Sequence, residues 1–144
     1  MATKNEKLQL CSGVELFSDL SKKELGRIVE NSKEVTHSPG QTVVTDGQSA
    51  AGFHLILSGT ARVIRGGKTV ANLGPGDYFG EMALIDGGRR TATVEATSDL
   101  TTLYLSQWGF KPIVRDNAGM AWKLLVHLSQ RLREEQKAAD AYKS

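Results

Sequence analysis

Apolar residues change their spacing twice along the chain, from helical to strand-like and back to helical. Residues 14–20 form a short apolar turn. A capping-box sequence, Ser21 with Glu24 three residues later, then begins a helix that should end near Asn31. Its apolar stripe has the i, i+3, i+4 spacing of one helix face, at Leu25, Ile28 and Val29. The preceding residues, 1–13, are polar and predict a flexible N-terminal arm.

Residues 33–105 switch to short apolar runs separated by turns rich in glycine. Runs of this length, at regular spacing and with turn residues between them, predict an all-β sandwich or barrel. The expected strands cover residues 34–37, 42–45, 53–57, 60–64, 69–73, 93–96 and 100–105.

The last part of the chain, residues 106–135, returns to helical spacing. Ser106 is the expected N-cap of a helix that ends near Arg115. A longer helix follows, with apolar residues at helical spacing at Ala121, Leu124, Leu125, Leu128 and Leu132. This spacing is compatible with a helix that is fixed on the barrel and with a helix that moves, so it does not distinguish the two. Residues 136–144 are a polar tail.

Composition limits the class of protein but does not define it. The chain has 144 residues, 40% of them hydrophobic and 24% charged, which is ordinary for one soluble globular domain. A net charge of +2 is too small to indicate nucleic-acid binding or membrane binding. The N-terminus lacks the apolar core of a signal peptide, and no apolar run reaches the length of a membrane span, so a cytoplasmic location is expected.

Neither metal binding nor catalysis is indicated by the residues that usually carry them. The single cysteine, Cys11, excludes an internal disulfide and is predicted to be half-buried and inert. His37, His54 and His127 are too widely separated to predict a metal triad. The acids and serines form no nucleophile elbow or paired-acid pattern. We therefore expect no metal and no enzyme activity.

Residues 79–94, which read FGEMALIDGGRRTATV, carry the chemistry of an anion site. Gly80 allows close approach of the backbone to a ligand, and a short helical turn after it would expose unpaired N–H groups. Arg89 and Arg90 add permanent cations. Glu81 is an anion at the mouth of this site and needs a donor of its own, for which a ribose hydroxyl is suitable. A sugar and a phosphate in one site describe a nucleotide.

This stretch closely resembles the phosphate-binding cassette of cyclic-nucleotide-binding domains, whose pattern is F-G-E-[LM]-A-L-…-R-[ATS]-A-[TS]-V. Such domains occur in bacterial catabolite activator proteins, protein kinase regulatory subunits and cyclic-nucleotide-gated channels. The resemblance implies a mainly β fold, a jelly-roll β-barrel with an N-terminal helical segment, a short cassette helix and C-terminal lid helices. It implies a domain over residues 14–135, with N-terminal helices at 14–32, the barrel at 33–105 and C-terminal helices at 106–135.

The resemblance also assigns roles to single residues. Arg90 matches the arginine that binds the cyclic phosphate, and Glu81 matches the acid that accepts the ribose 2′-hydroxyl. Gly80 and the backbone N–H groups of Met82 and Ala83 match further ligand contacts. Thr91 leaves both bases open, since a hydroxyl there reaches the guanine amino group in members that favour cGMP, while bacterial members with Ser or Thr prefer cAMP.

The base pocket is the least defined part of this assignment. Candidates for its wall and cover are the side chains of Val70, Leu73, Met82, Leu84, Leu128, Arg131 and Leu132. Val70, Leu73, Met82 and Leu84 are equally suited to the core, and Arg131 is equally suited to a solvated helix surface. Arg89 has no counterpart as a ligand in the family and is expected to be solvated.

The function that the resemblance implies is a non-catalytic sensor of cAMP, or of cGMP, whose last helix moves when the ligand binds. In the family this helix also pairs with its twin in some members, so a homodimer or an unknown effector protein is the expected partner. Two alternatives remain: a degenerate domain that binds no ligand and acts as an interaction module, or the sensor part of a larger transcription factor, channel or enzyme. Nothing after Arg133 could serve as a recognition helix, so no nucleic acid is expected on this chain.

Overall fold

The computed structural model describes residues 2–48 and 52–143; residues 1, 49–51 and 144, which include the ends of the predicted arm and tail, lie outside the described residues. The helices are α1 Lys4–Ser12, α2 Lys22–Glu30, α3 Ala83–Asp86, α4 Gln107–Arg115 and α5 Ala118–Lys143, with a 3₁₀ turn at Glu15–Phe17. The strands are β1 Lys33–His37, β2 Thr42–Val44, β3 Gly52–Ser58, β4 Ala61–Arg65, β5 Lys68–Leu73, β6 Tyr78–Phe79, β7 Thr93–Ala96 and β8 Leu100–Ser106.

The eight strands form two antiparallel sheets, which confirms the predicted jelly-roll architecture with flanking helices. The first sheet has the order β1-β8-β3-β6 and the second has the order β2-β7-β4-β5. Sequence neighbours such as β2 and β3 therefore lie in different sheets, as expected of a chain that winds around a barrel. The seven strands that the sequence predicts are all present, and only the two-residue β6 was not expected.

Strand β3 joins the two hydrophobic cores, because alternate side chains of a strand point to opposite faces. Phe53 and Leu55 pack against the helices on the outer face of the first sheet. Ile56 faces the second sheet and packs with Val94 and Ala96 of β7. The outer core anchors the helices, and the inner core fixes the barrel wall from which the site is built.

Helix α2 begins as the sequence predicts. The Ser21 hydroxyl accepts a hydrogen bond from the backbone N–H of Glu24 at 3.2 Å, and the Glu24 carboxylate accepts one from the backbone N–H of Ser21 at 2.8 Å. An N-cap of this kind contributes about 1 kcal/mol to helix stability. Leu25 and Ile28, on the predicted apolar stripe, are buried.

The N-terminal residues differ from the predicted flexible arm, because Lys4–Ser12 form helix α1 with Thr3 as its N-cap. Leu8 and Cys11 of this helix are buried in the outer core. Burial raises the pKa of the Cys11 thiol to about 12, so the thiol stays protonated at neutral pH. Cys11 is thus fully buried rather than half-buried. The segment has too few apolar residues to form a helical stripe, so its sequence pattern did not predict the helix.

Helix α5 continues beyond the predicted boundary near Glu135 and ends at Lys143. Residues 134–141 are mostly good helix formers such as glutamate, glutamine, lysine and alanine, so the helix does not need apolar contacts to continue. Most of the predicted polar tail is therefore helical where it is described. Among the described residues, no helix is both long and apolar enough to cross a bilayer.

Candidate ligand-binding site

The cassette begins where β6 ends and reverses direction through two glycines with positive φ. Gly80 has φ +81° and Gly87, the C-cap of α3, has φ +65°. Such angles favour glycine, because a Cβ would be strained there. The short helical turn expected after Gly80 is present at Ala83–Asp86. The two glycines therefore set the length and direction of the loop that carries Glu81.

Gly80 also lies directly against the Arg90 guanidinium. A Cβ at Gly80 would overlap that guanidinium and would lie 2.6 Å from the carbonyl oxygen of Gly52. The same carbonyl accepts a hydrogen bond from Nη2 of Arg90. The absence of a side chain at Gly80 is thus what allows Arg90 to cross the cassette and reach β3.

Arg90 is held at both ends, yet part of its guanidinium has no partner. Its backbone N–H donates to Gln48 at 2.9 Å, and its carbonyl accepts from Gly47 at 2.9 Å. Its Nε is buried and has no hydrogen-bond partner among the described residues. Burial lowers the pKa of Arg90, while Tyr104 and Glu81 act in the opposite direction. An arginine remains charged in such a setting, so Arg90 is a cation that lacks a full set of acceptors.

The cassette closes one side of an open cavity of about 480 Å³ at the end of the barrel. The cavity is large enough for a small organic ligand. Its polar lining includes Arg65, Glu81, Asp86, Arg89, Arg90 and Thr91. Its apolar lining includes Val44, Val63, Leu73, Phe79, Met82 and Val94. Charged groups of both signs and an apolar wall therefore face one space.

Most of the predicted site residues come together around this cavity. Its walls include the side chains or backbone of the predicted residues Gly80, Glu81, Met82, Ala83, Arg90, Thr91 and Leu73. The backbone N–H of Ala83 is already used, since it donates to the carbonyl of Gly80 at 3.1 Å. A ligand that bound this N–H would have to share or replace that hydrogen bond. Arg89 is exposed on the cavity wall, in agreement with its expected solvation.

Several candidates for the base pocket lie elsewhere. Val70 is 52% exposed on β5 and does not line the cavity. Leu84 is 1% exposed and belongs to the outer core, because it is on the inner face of α3. Leu132 is 64% exposed on α5. Val70, Leu84 and Leu132 are therefore not part of the wall in this structure.

Sequence reasoning missed part of the lining, in particular Arg65, Asp86, Val44, Val63 and Phe79. Val63 pairs with Val94 in the register of β4 and β7, which places both side chains on one face. Strict alternation along β4 could have predicted that face. Asp86 accepts a hydrogen bond from the backbone N–H of Gly88 at 2.8 Å, a role that no sequence pattern indicated.

Helix α5 lies beside both the cassette and the N-terminal helices. Arg131 lies outside the cavity, with its Nη1 3.9 Å from the sulfur of Met82. Near the start of α5, Lys123 forms an ion pair with Glu24 of α2 at 2.7 Å. Between these two contacts an apolar cleft of about 530 Å³ separates α5 from α3 and α4, with Leu128 on its wall. The structure therefore places this helix beside the cassette without closing the space between them.

Two of the three histidines, His37 and His54, lie near each other, and His127 does not join them. The rings of His37 and His54 have centroids 6.3 Å apart. His127 lies near Asp19 instead, at 4.0 Å between Nδ1 and the carboxylate. Within residues 2–48 and 52–143, no group of three or more metal-ligating side chains occurs.

Comparison with known proteins agrees with the geometry of the cassette. The family model for the cyclic nucleotide-binding domain matches residues 34–117, more than half of the chain. The chain belongs to this family. It is 32% identical over 90% of its length to a cGMP-dependent protein kinase of Eimeria tenella, and 32% identical over 85% to the cyclic AMP receptor protein of Thermus thermophilus.

A solved structure shows the same fold over nearly the whole chain. It is the N-terminal domain of a transcriptional regulator from Streptomyces coelicolor A3(2), with a TM-score of 0.84 and 25% identity, covering 90% of this chain and 96% of that one. The chain spans only 12% of the Eimeria kinase and 59% of the Thermus receptor protein. The fold and the family point to a regulatory binding domain.

Proposed function

We propose that this chain is a non-catalytic sensor that binds a cyclic purine mononucleotide, cAMP or cGMP, in the cavity beside the cassette. The proposal rests on one observation: the same cavity is lined by the anion Glu81 and the cation Arg90, which come from opposite ends of the cassette. A ligand with an anion at one end and a hydroxyl donor beside it satisfies both. A cyclic nucleotide has its cyclic phosphate and its ribose 2′-hydroxyl in that relation.

Arg90 is the proposed partner of the cyclic phosphate. In the described part of the chain its guanidinium makes one hydrogen bond, to the carbonyl of Gly52, and so retains donors for a ligand. A guanidinium can bind two oxygens of one phosphate in a fork, and such charge-assisted hydrogen bonds are short and strong. The phosphate would complete the hydrogen bonding of a cation that is already half-buried.

Glu81 is the proposed partner of the ribose. It lines the same cavity as Arg90, so its own negative charge is unfavourable beside a phosphate bound there. A hydroxyl donor to the carboxylate offsets that cost. This contact would also distinguish ribose from deoxyribose.

The purine base would lie against the apolar wall formed by β4, β7 and the end of β5. Val63, Val94 and Leu73 supply this wall, and Met82 closes it from the cassette side. Thr91 lines the same cavity and is exposed, so its hydroxyl is available to a base or to a phosphate oxygen. These contacts are compatible with adenine and with guanine.

The proposed signal is a movement of α5. The cleft between α5 and the α3–α4 pair leaves apolar side chains, among them Ile85 and Leu125, only partly covered. A ligand that binds more tightly when α3 and α5 are close would favour the state in which α5 lies against the cassette. The equilibrium between the two states would shift by the ratio of the ligand's affinities for them. The contact of Arg131 with Met82 would then become part of a larger interface.

The exposed face of α5 favours an interaction with a second protein as well. Trp122, Leu125 and Leu132 are between 58% and 68% exposed on this helix. Apolar exposure of this size is typical of an interaction surface. A homodimer or an effector protein would cover it, either alongside ligand binding or, in the alternative of a degenerate domain, instead of it. The chain could equally work as the sensor part of a longer regulator, channel or enzyme.

The contact between Glu81 and the ribose gives the most specific test of the site. Because a hydrogen bond to a charged group contributes about 1.5–3 kcal/mol, wild-type protein should bind 2′-deoxy-cAMP roughly tenfold or more weakly than cAMP. Glu81→Ala should lose affinity for cAMP and should bind the two nucleotides alike. Calorimetric titration of both proteins with both nucleotides measures the four affinities.

Asp86→Ala is the matched control, because Asp86 is a second carboxylate on the same cavity wall. This variant should keep the preference for ribose over deoxyribose. If Glu81→Ala kept that preference, or wild-type protein showed none, the assignment of Glu81 to the ribose would be wrong.

A further inference from the structure

Arg90 separates two cavities, and the cassette uses only one of them. The second has a volume of about 340 Å³ and lies between the sheets, on the side of β1, β2 and β8. Its hydrogen-bonding lining includes Lys33, Gln48, His54, Arg90 and Tyr104, and valines of β1 and β2 complete the wall. Glu81 and the other acids of the cassette cavity do not line it.

A row of four side chains crosses the first sheet, and three of them, Lys33, Tyr104 and His54, line this second cavity. Lys33 of β1 pairs with Tyr104 of β8, Tyr104 pairs with His54 of β3, and His54 pairs with Phe79 of β6. Residues paired in this way point to the same face of a sheet. The His54 ring stacks on Phe79 with centroids 5.0 Å apart and lies 4.9 Å from the Tyr104 ring. The row therefore holds an ammonium, a phenol and an imidazole at fixed positions.

The imidazole in this row is buried and oriented. His54 is 7% exposed, and its Nδ1 lies 3.1 Å from the hydroxyl of Thr102. When that hydroxyl donates to Nδ1, the neutral ring carries its proton on Nε2 and can donate to a ligand. Burial and the positive charges of Arg90 and His37 lower the pKa of His54 to about 3. The ring is therefore neutral at pH 7 and carries a single N–H.

No carboxylate among the described lining residues balances the positive charge of the second cavity. Lys33 and Arg90 are permanent cations on its wall, and the described lining contains no Asp or Glu. The acid next to Lys33 in sequence, Glu34, forms an ion pair with Lys7 of α1 at 3.1 Å, on the side of the sheet that packs against the helices. Two cations and an imidazole in a partly enclosed space favour an anion.

We propose that the second cavity binds a small oxyanion of the phosphate type, held by Lys33, His54 and the face of Arg90 turned away from the cassette. The buried Nε of Arg90, which has no partner among the described residues, supplies one donor. The ammonium of Lys33 and the ring N–H of His54 supply the others. A cavity of this size holds inorganic phosphate together with several waters.

If the chain binds a cyclic nucleotide as proposed, the oxyanion and the cyclic phosphate both use Arg90. The second cavity would then regulate nucleotide binding. An oxyanion in the second cavity attracts the guanidinium that the cyclic phosphate needs. Each ligand should therefore weaken the binding of the other, and by linkage the factor is the same in both directions. Cyclic nucleotide binding would respond to the concentration of free phosphate.

Inorganic phosphate is the probe for the first test, which needs no cyclic nucleotide. Titration of the intact chain at constant ionic strength should shift the imidazole resonances of His54 in a saturable way. Lys33→Gln should weaken this binding about tenfold, the loss of one hydrogen bond to a charged group. Arg89→Gln, which removes a cation from the cassette cavity alone, should leave it unchanged. Lys33 is exposed, so its variant should fold, and thermal unfolding checks this.

The second test measures cAMP affinity with and without phosphate. Wild-type protein should bind cAMP more weakly in phosphate, and Lys33→Gln should lose most of this effect. The site is disproved if phosphate leaves the His54 resonances unchanged, if chloride at equal ionic strength has the same effect, or if phosphate binding depends on Arg89 and not on Lys33. Phosphate binding without any cAMP binding would contradict the proposed function and leave the oxyanion site standing.

Discussion

Replacing Arg90 by alanine should lower the affinity for cAMP at least about a hundredfold, because two hydrogen bonds to a charged group are lost together. Among the described arginines and lysines, Arg90 is the only one that lines both cavities, so no other cation occupies its position. Arg90→Lys should recover part of the loss, because it keeps the charge but not the fork. Calorimetric titration of the three proteins gives the ratios.

Arg89→Ala is the control for Arg90, since it removes an adjacent and more exposed arginine of the same cavity. It should change the affinity for cAMP only a few fold. Arg90 also donates to the carbonyl of Gly52, so the stability of each variant has to be measured by thermal unfolding. A well-folded Arg90→Ala protein that binds cAMP as tightly as wild type would contradict the assigned phosphate contact.

Gly80→Ala should destabilise the protein by about 2 kcal/mol or more and weaken cAMP binding about tenfold or more. The backbone at Gly80 has φ +81°, which costs an alanine about 1–2 kcal/mol. In addition, the new methyl group would overlap Arg90 and lie 2.6 Å from the Gly52 carbonyl, so Arg90 or β3 would have to shift. Urea unfolding and calorimetric titration measure the two effects.

Gly40→Ala separates backbone strain from the loss of space. Gly40 has φ +85°, but a Cβ there would have no atom within 4 Å. Its substitution should cost about 1 kcal/mol in stability, from the backbone alone, and should leave cAMP binding unchanged. Equal losses of affinity in the two variants would show that Gly80 does not act through Arg90.

The cassette was predictable from sequence because its chemistry is local. Gly80, Glu81 and Arg90 are no more than ten residues apart, and the glycines that shape the loop are part of the same motif. The strands and α2 were predictable for a similar reason, since alternation and a capping box act over a few residues. Ser21 and Glu24 form the predicted hydrogen bonds.

The parts that sequence could not predict depend on register and on contacts between distant segments. Whether Val70 or Val63 lines the cavity depends on how β4 and β5 pair, and these strands have an irregular register between Val63 and Ile64. Helix α1 is stabilised because Leu8 and Cys11 pack on the outer core, and this packing cannot be predicted from the sequence of the helix alone. The position of Arg131 depends on where α5 lies, a matter of tertiary contacts such as that between Lys123 and Glu24.

The position of Arg90 between two cavities also depends on contacts between distant segments. Lys33, Tyr104 and His54 are up to 71 residues apart in sequence and meet only because β1, β8 and β3 are neighbours in one sheet. No local motif could have placed a second group of donors behind the cassette arginine. The cassette sequence thus defines the side of Arg90 that we propose binds the nucleotide, and the sheet defines the opposite side.

Ligand binding is tested most directly by calorimetric titration of the intact wild-type chain with cAMP, cGMP and 5′-AMP in a buffer without phosphate. We expect saturable binding of one molecule of cAMP or cGMP per chain, and much weaker binding of 5′-AMP, which lacks the cyclic phosphate. The ratio of the cAMP and cGMP affinities would define the role of Thr91. If well-folded protein gave neither heat nor thermal stabilisation with either cyclic nucleotide, the sensor function would be wrong.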